Sequence, residues 1–150
     1  MDKGQPLAAC FDFSGVIVDH RDKTPVPGME ELIKDLSARG WLLAVVSRFD
    51  EKTVAEHLDQ GLCCCFKKIY SARDRGKLDY VQEFARECGV SDLSRMIFID
   101  DKPKNLREVA ASPVSVIGFL GSGKYDTAAA CKEIGVPFAR TVAELRDLLG

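Results

Sequence analysis

The chain has 150 residues, with 21 Lys plus Arg against 23 Asp plus Glu and a formal net charge of −2. With 46% hydrophobic and 29% charged residues, it has the make-up of one globular domain spanning 1–150. The charge balance argues against a strongly basic nucleic-acid binder. No apolar run approaches the ~20 residues of a membrane helix, and polar Met1–Gln5 with the brief run Leu7–Phe11 lacks the form of a secretory leader, so a cytoplasmic, reduced protein without membrane contact is expected.

Leu7–Phe13 is an apolar run carrying an acid near its end, predicted as a buried strand. Ser14–Pro27, with Gly15 and two prolines, reads as a loop. Gly28–Arg39 spaces Met29, Leu32, Ile33 and Leu36 as a helix, which Gly40 stops. Trp41–Val46 is a second strand ending at Ser47, and Glu51–Gln60 a helix. Cys64–Tyr70 reads as a third strand and Gly76–Cys88 as a helix with Leu78, Val81, Phe84 and Ala85 inward. Met96–Ile99 is a fourth strand that runs into Asp100 and Asp101. Helix Pro103–Ala111, strand Val114–Phe119, helix Tyr125–Ile134, a brief extended piece Val136–Ala139 and helix Val142–Leu149 complete the chain.

Strands alternating with helices specify an α/β domain, a five-stranded parallel sheet covered on both faces in three layers. Near-continuous apolar strands fit that burial. The functional crevice of such a sheet lies outside the carboxyl ends of its strands. Asp12 and Ser14, Ser47, and Asp100 with Asp101 end the first, second and fourth strands, so topology gathers acids and hydroxyls on one edge.

Converging carboxylates repel, and need a cation or a shared proton. Oxygen ligands without His or Cys favour Mg²⁺, held by carboxylates together with a substrate phosphate. Asp12 could then attack phosphorus and form an aspartyl phosphate. Ser47 offers a hydroxyl to a phosphoryl oxygen, and Lys77, opening a helix, is placed to neutralise the remaining charge.

These segments resemble the haloacid dehalogenase-like superfamily. Phe11-Asp12-Phe13-Ser14-Gly15-Val16-Ile17-Val18-Asp19 is similar to its first motif, Val45-Val46-Ser47 to its second, Lys77 to its third, and Ile97-Phe98-Ile99-Asp100-Asp101 to its fourth. The resemblance implies a Rossmann-like sheet ordered 5-4-1-2-3, with Asp12 as nucleophile and metal ligand. It further implies metal ligation by the Ser14 carbonyl, Asp100 and Asp101, with support from Asn105. Ser47 and Lys77 would hold the phosphoryl group.

Ser14 departs from the family pattern, which has a second Asp as general acid/base. A serine hydroxyl has no usable pKa near 7, and losing such help costs ~10²–10⁴-fold. The chain is then a slow phosphatase, a phosphotransferase with a long-lived phosphoenzyme, or a phospho-ligand or partner-binding protein that has lost catalysis. Family branches that cleave phosphonates or carbon–halogen bonds also lack this Asp, but Asp100-Asp101 favours a retained Mg²⁺ site over dehalogenation. Only 13 residues, 15–27, separate Ser14 from Gly28. That is room for a flap, not a helical cap domain, so phosphonate cleavage with a cap is disfavoured. An open site suits a macromolecular phosphorylated substrate, or a small one if a neighbouring copy in a homo-oligomer supplies a lid.

Arg48, Arg73 and Arg75 lie near the edge as candidate anion binders, and Lys67 and Lys68 are alternatives to Lys77. His20, in the flap, could replace the missing acid/base, whereas His57 reads as a helix-surface residue. Gly118–Tyr125 approximates a phosphate-binding loop, but Tyr125 stands where a Ser or Thr is needed, so a turn shaping the active edge is preferred. The six cysteines show no Cys-x-x-Cys pair, and Cys63–Cys65 read as small buried hydrophobes at a strand start.

Overall fold

The computed structural model describes residues 7–121 and 123–150. The reading of Met1–Gln5 and the Ser122 position of the glycine-rich turn lie outside them. In chain order the elements are β1 (Ala8–Phe11), α1 (Met29–Ala38), β2 (Leu42–Ser47), α2 (Glu51–His57), α3 (Gln60–Cys63), β3 (Lys68–Ser71) and α4 (Lys77–Cys88). A short 3₁₀ turn at Leu93–Arg95 precedes β4 (Met96–Asp100), α5 (Pro103–Ala110), β5 (Ser115–Phe119), α6 (Thr127–Ile134), β6 (Phe138–Ala139) and α7 (Val142–Leu149).

The strands form one parallel sheet ordered β3-β2-β1-β4-β5-β6. Its first five positions follow the expected order. The expected five strands are six, because Phe138 and Ala139 pair with Gly118 and Phe119, so part of the extended piece extends the sheet.

Side chains alternate between the sheet's faces, and two separate cores result. Ala9, Phe11, Leu43, Val45 and Ile99 pack with Met29, Leu32 and Ile33 of α1 and Leu145 of α7. Ala8, Cys10, Ala44, Val46 and Phe98 pack with Val81 and Phe84 of α4 and Leu106 of α5. Small residues in β1 let helices approach the centre of the sheet from both sides.

Two local expectations are corrected. The helix expected over 51–60 breaks at Leu58, which is extended at ψ 132, and Asp59 caps a new turn by accepting from the Leu62 amide at 2.7 Å. The third strand starts at Lys68 rather than Cys64. Cys63 ends α3, Cys64 is exposed, and Cys65 is half-buried with its thiol on the Gly61 carbonyl. The triplet is therefore not a buried strand start.

Between β1 and α1 the chain folds into a flap. Val18 bridges Ser14 on one side and Pro25 on the other. Phe13, Val16, Ile17 and Val18 root the flap in the α1-side core, while its tip, including Arg21, Asp22 and Thr24, is exposed. Among the described residues no helix interrupts this segment.

Candidate active site

Strand register brings the acids together. Phe11 pairs with Ile99, so Asp12 and Asp100, each one residue further on, are neighbours. The Asp12 amide donates to the Ile99 carbonyl at 2.9 Å. Both residues share the parity of Cys10 and Phe98, which face α4. The first residue of α4 is Lys77, and its buried ammonium donates to Asp12 Oδ1 at 2.7 Å and Asp100 Oδ2 at 2.9 Å. Pleat parity thus accounts for an ion pair between residues 65 positions apart in sequence.

Gly76, just before Lys77, offers no side-chain cap to α4. Glu108 of α5 takes that role from outside, accepting from the Leu78 amide at 3.1 Å. A Cβ at Gly76 would lie 2.1 Å from Glu108 Oε2, so the absent side chain makes room for the capping carboxylate.

Asp100 is fully enclosed. Its Oδ1 accepts from the amides of Asp101 and Lys102 at 2.7 and 2.9 Å, and its Oδ2 also accepts from Asn105 at 3.1 Å. The Asp101 carbonyl accepts from Thr127 Oγ1 at 2.5 Å. The loop after β4 is thereby fixed from two helices.

Ser14 is not isolated. Its Oγ lies 2.9 Å from His20 Nδ1, and His20 Nε2 lies 2.6 Å from Asp101 Oδ2. With Asp101 a carboxylate and His20 neutral, Nε2–H donates to Oδ2 and Nδ1 accepts the Ser14 hydroxyl proton. Gly15 permits this closeness: it sits at φ 91, and a Cβ there would lie 2.2 Å from Asp101 Oδ2 and 2.4 Å from His20 Nε2.

Burial and the charge of Asp100 raise the Asp12 carboxyl well above its ordinary value, although Lys77 pulls the other way. Burial, then Asp100, pushes Asp101 up to about 7. Burial opposes the Lys77 charge, but Asp12 and Asp100 outweigh it and raise that ammonium. Asp101 at 2.6 Å would favour a charged His20, yet burial and the Lys124 ammonium hold the imidazole below its usual value. The contact is therefore read as a hydrogen bond of neutral His20, not as a fixed ion pair.

Asp12, Asp100 and Asp101 each offer an oxygen within 4.8 Å of the others'. Asp101 Oδ1 is buried with no hydrogen-bond partner among the described residues. Three acids against one lysine leave the centre short of positive charge. An oxygen-preferring divalent cation fits that donor set and gives the orphaned oxygen a partner.

The cluster floors a cavity of about 240 Å³, which Ser14, His20, Ser47 and Arg48 also line. Ser47 Oγ accepts from the Phe49 amide at 3.0 Å, leaving its own proton to donate. Arg73 and Arg75 do not line the cavity. Arg73 holds the Arg48 carbonyl at 2.9 Å, and Arg75 donates to Glu83 at 3.2 Å. Lys67 and Lys68 lie at the opening of β3, away from the edge where Ser47 ends β2. His57 is on the surface of α2, as its sequence position implies. Sequence reading missed Lys23, Phe49 and Lys102 as lining residues: nothing in spacing shows how the flap that carries Lys23 folds back, or which way the residues just past β2 and β4 turn.

No family model matches the chain, and no curated protein matches it in sequence. In three dimensions it is similar to D,D-heptose 1,7-bisphosphate phosphatase from B. bronchiseptica complexed with magnesium and phosphate (TM-score 0.73, 15% identity, 95% of this chain and 97% of that one). A haloacid dehalogenase-like hydrolase from Streptococcus pneumoniae superposes with TM-score 0.78 at 13% identity, over 97% and 99% of the two chains. A hydrolase of the same family from Deinococcus radiodurans R1, with bound phosphate and sodium, gives 0.69 at 23% identity, over 84% and 59%. The fold is that of these haloacid dehalogenase-like hydrolases and phosphatases.

Proposed function

We propose that the chain is a single-domain, capless, Mg²⁺-dependent phosphohydrolase or phosphotransferase that acts through a phosphoryl group on Asp12. The observation that carries this reading is the three-acid, one-lysine cluster where the strands end, short of positive charge. Asp12, Asp100, Asp101 and the Ser14 carbonyl are the residues that would hold Mg²⁺. When bound, the ion supplies charge that lets a carboxylate approach a phosphate and polarises phosphoryl oxygens.

In this reading Ser47, Lys77 and Arg48 bind the phosphoryl oxygens and orient phosphorus toward Asp12. An Asp12 oxygen bonds to phosphorus as the ester oxygen leaves. His20, neutral at rest, first takes up a solvent proton at Nδ1, the nitrogen that otherwise accepts from Ser14, and gives it to that oxygen. Neutral His20 then takes a proton from water, which attacks the aspartyl phosphate, breaks its P–O bond and regenerates Asp12 with inorganic phosphate. Ser14 cannot do this, but it lies against the imidazole that can. An acceptor alcohol in place of water makes the same sequence a transfer.

The substrate is a phosphorylated compound. No helix among the described residues is long and apolar enough to cross a membrane, and a cytoplasmic setting suits the six free thiols. The test is p-nitrophenyl phosphate hydrolysis with Mg²⁺ or EDTA, for wild type and Asp12→Asn. Turnover that needs both Mg²⁺ and Asp12 is expected. Turnover indifferent to either, or none with Mg²⁺ still bound, would favour a non-catalytic phospho-ligand protein.

A further inference from the structure

We propose that the cavity mouth is a subsite for a second anionic group, with Lys23 as the residue that selects it. The substrate is then a small phosphate ester ending in a carboxylate or a second phosphate. This inference rests on the phosphoryl-transfer reading of the same site.

Charge is layered through the cavity. The acids at its floor are met by Lys77 and would be matched by the divalent ion they fit. Outside them stand Lys23, Arg48, Lys102 and Lys124, and no further acid among the described residues lines the cavity. None of the four is ion-paired among the described residues. One phosphoryl group is already served by Ser47, Lys77 and one arginine, so the remaining cations call for a second anion.

Lys23 is held rather than free. It is the one non-glycine residue at positive φ among those described, at 61°, a region L side chains rarely adopt. Its ammonium donates to the His20 carbonyl at 3.0 Å and lies 4.9 Å from the centre of the Phe49 ring. The side chain is thus folded back over the cavity, where a solvated surface lysine would point outward.

The opposite wall is fixed too. Tyr125 meets the His20 ring edge-on at 5.7 Å, and Lys124 lies over Tyr125 at 5.4 Å. Gly121 lets this wall approach the flap, because a Cβ there would lie 2.2 Å from the Gly15 carbonyl oxygen. The cavity of about 240 Å³ has room for a phosphoryl group together with the second anion of a short ester.

The test uses the full chain with Mg²⁺ and short phosphate esters matched in length, ending in a hydroxyl, a carboxylate or a second phosphate. The charged esters should exceed the hydroxyl ester by roughly 10-fold or more in kcat/KM, the scale of one charge-assisted hydrogen bond. The better of the two names the anion. Lys23→Asn, which tolerates the left-handed backbone, should erase the preference, read as the ratio of kcat/KM for the charged esters to that for the hydroxyl ester, so that any change in turnover common to all esters cancels. Calorimetry with phosphonoacetate against methylphosphonate reads the same preference without turnover. Preference in binding with no hydrolysis keeps the subsite and defeats the phosphoryl-transfer reading. Hydrolysis without preference, preference that survives Lys23→Asn, or a phosphoserine peptide outperforming every small ester would overturn the subsite.

Discussion

His20 touches Ser14 with one nitrogen and Asp101 with the other, so a titratable imidazole stands beside a serine hydroxyl that has no usable pKa near 7. His20→Ala is expected to lower kcat by about 10²–10⁴-fold, with partial recovery by added imidazole. Ser14→Asp in that background should restore turnover, because a carboxylate then stands where the imidazole worked. A His20→Ala enzyme of full activity would contradict the assignment. The raised Asp101 and Asp12 carboxyls add a pH signature. Between an unfolded value of about 3.9 and about 7, folded Asp101 keeps a proton that the unfolded chain has lost. Its contribution to stability is therefore present at low pH and disappears as pH rises through 7. Mg²⁺ competes with that proton, so the Mg²⁺-induced rise in melting temperature should be larger at pH 8 than at pH 5. Equal shifts would count against a cation on these carboxylates. Asp12, Ser47, Asp100 and Asp101 were legible in the sequence because each closes an apolar run or directly follows one. His20 was a candidate in the sequence, but its contacts with Ser14 and Asp101 and the folded-back Lys23 show only in three dimensions, since both depend on how the flap turns.

At the level of elements, α4 matters most, because its first residue is Lys77 and its cap is borrowed from α5 through Glu108. Glu108→Ala should cost about 1 kcal/mol of stability, the usual scale of a lost helix cap, and weaken inorganic phosphate binding. Glu108→Gln, which keeps an acceptor, should fall between the two. Calorimetric melts and phosphate titrations check this, and an unaltered phosphate affinity in Glu108→Ala would show that Lys77 holds its place without the cap. Strands β1, β2 and β4 were legible because burial on both faces leaves continuous apolar runs. The break at Leu58 was not, because the helical spacing on either side of Asp59 hides a capping acid. The Cys63–Cys65 run misled because small thiols suit a turn as well as a strand. β6 is two residues long and only its pairing with β5 makes it a strand.

Across the whole molecule, the sheet that buries the core also fixes the site. Phe98, fully buried on the α4 side, lies two residues before Asp100 on the same face. Phe98→Ala should lower unfolding free energy by about 3–5 kcal/mol, a large share of the ~5–15 kcal/mol typical of a domain. Urea denaturation measures it, and a loss below about 1 kcal/mol would mean the core rearranges around the gap. The central claim is that Asp12 accepts a phosphoryl group with Mg²⁺ at hand. Its most direct test is to incubate the protein with acetyl phosphate or beryllofluoride, with and without Mg²⁺, and locate the adduct by mass spectrometry or fluorine NMR. The account predicts one adduct, on Asp12, formed only with Mg²⁺ and absent from Asp12→Asn. A saturating incubation that leaves Asp12 unmodified, or an adduct that persists in Asp12→Asn, would contradict it.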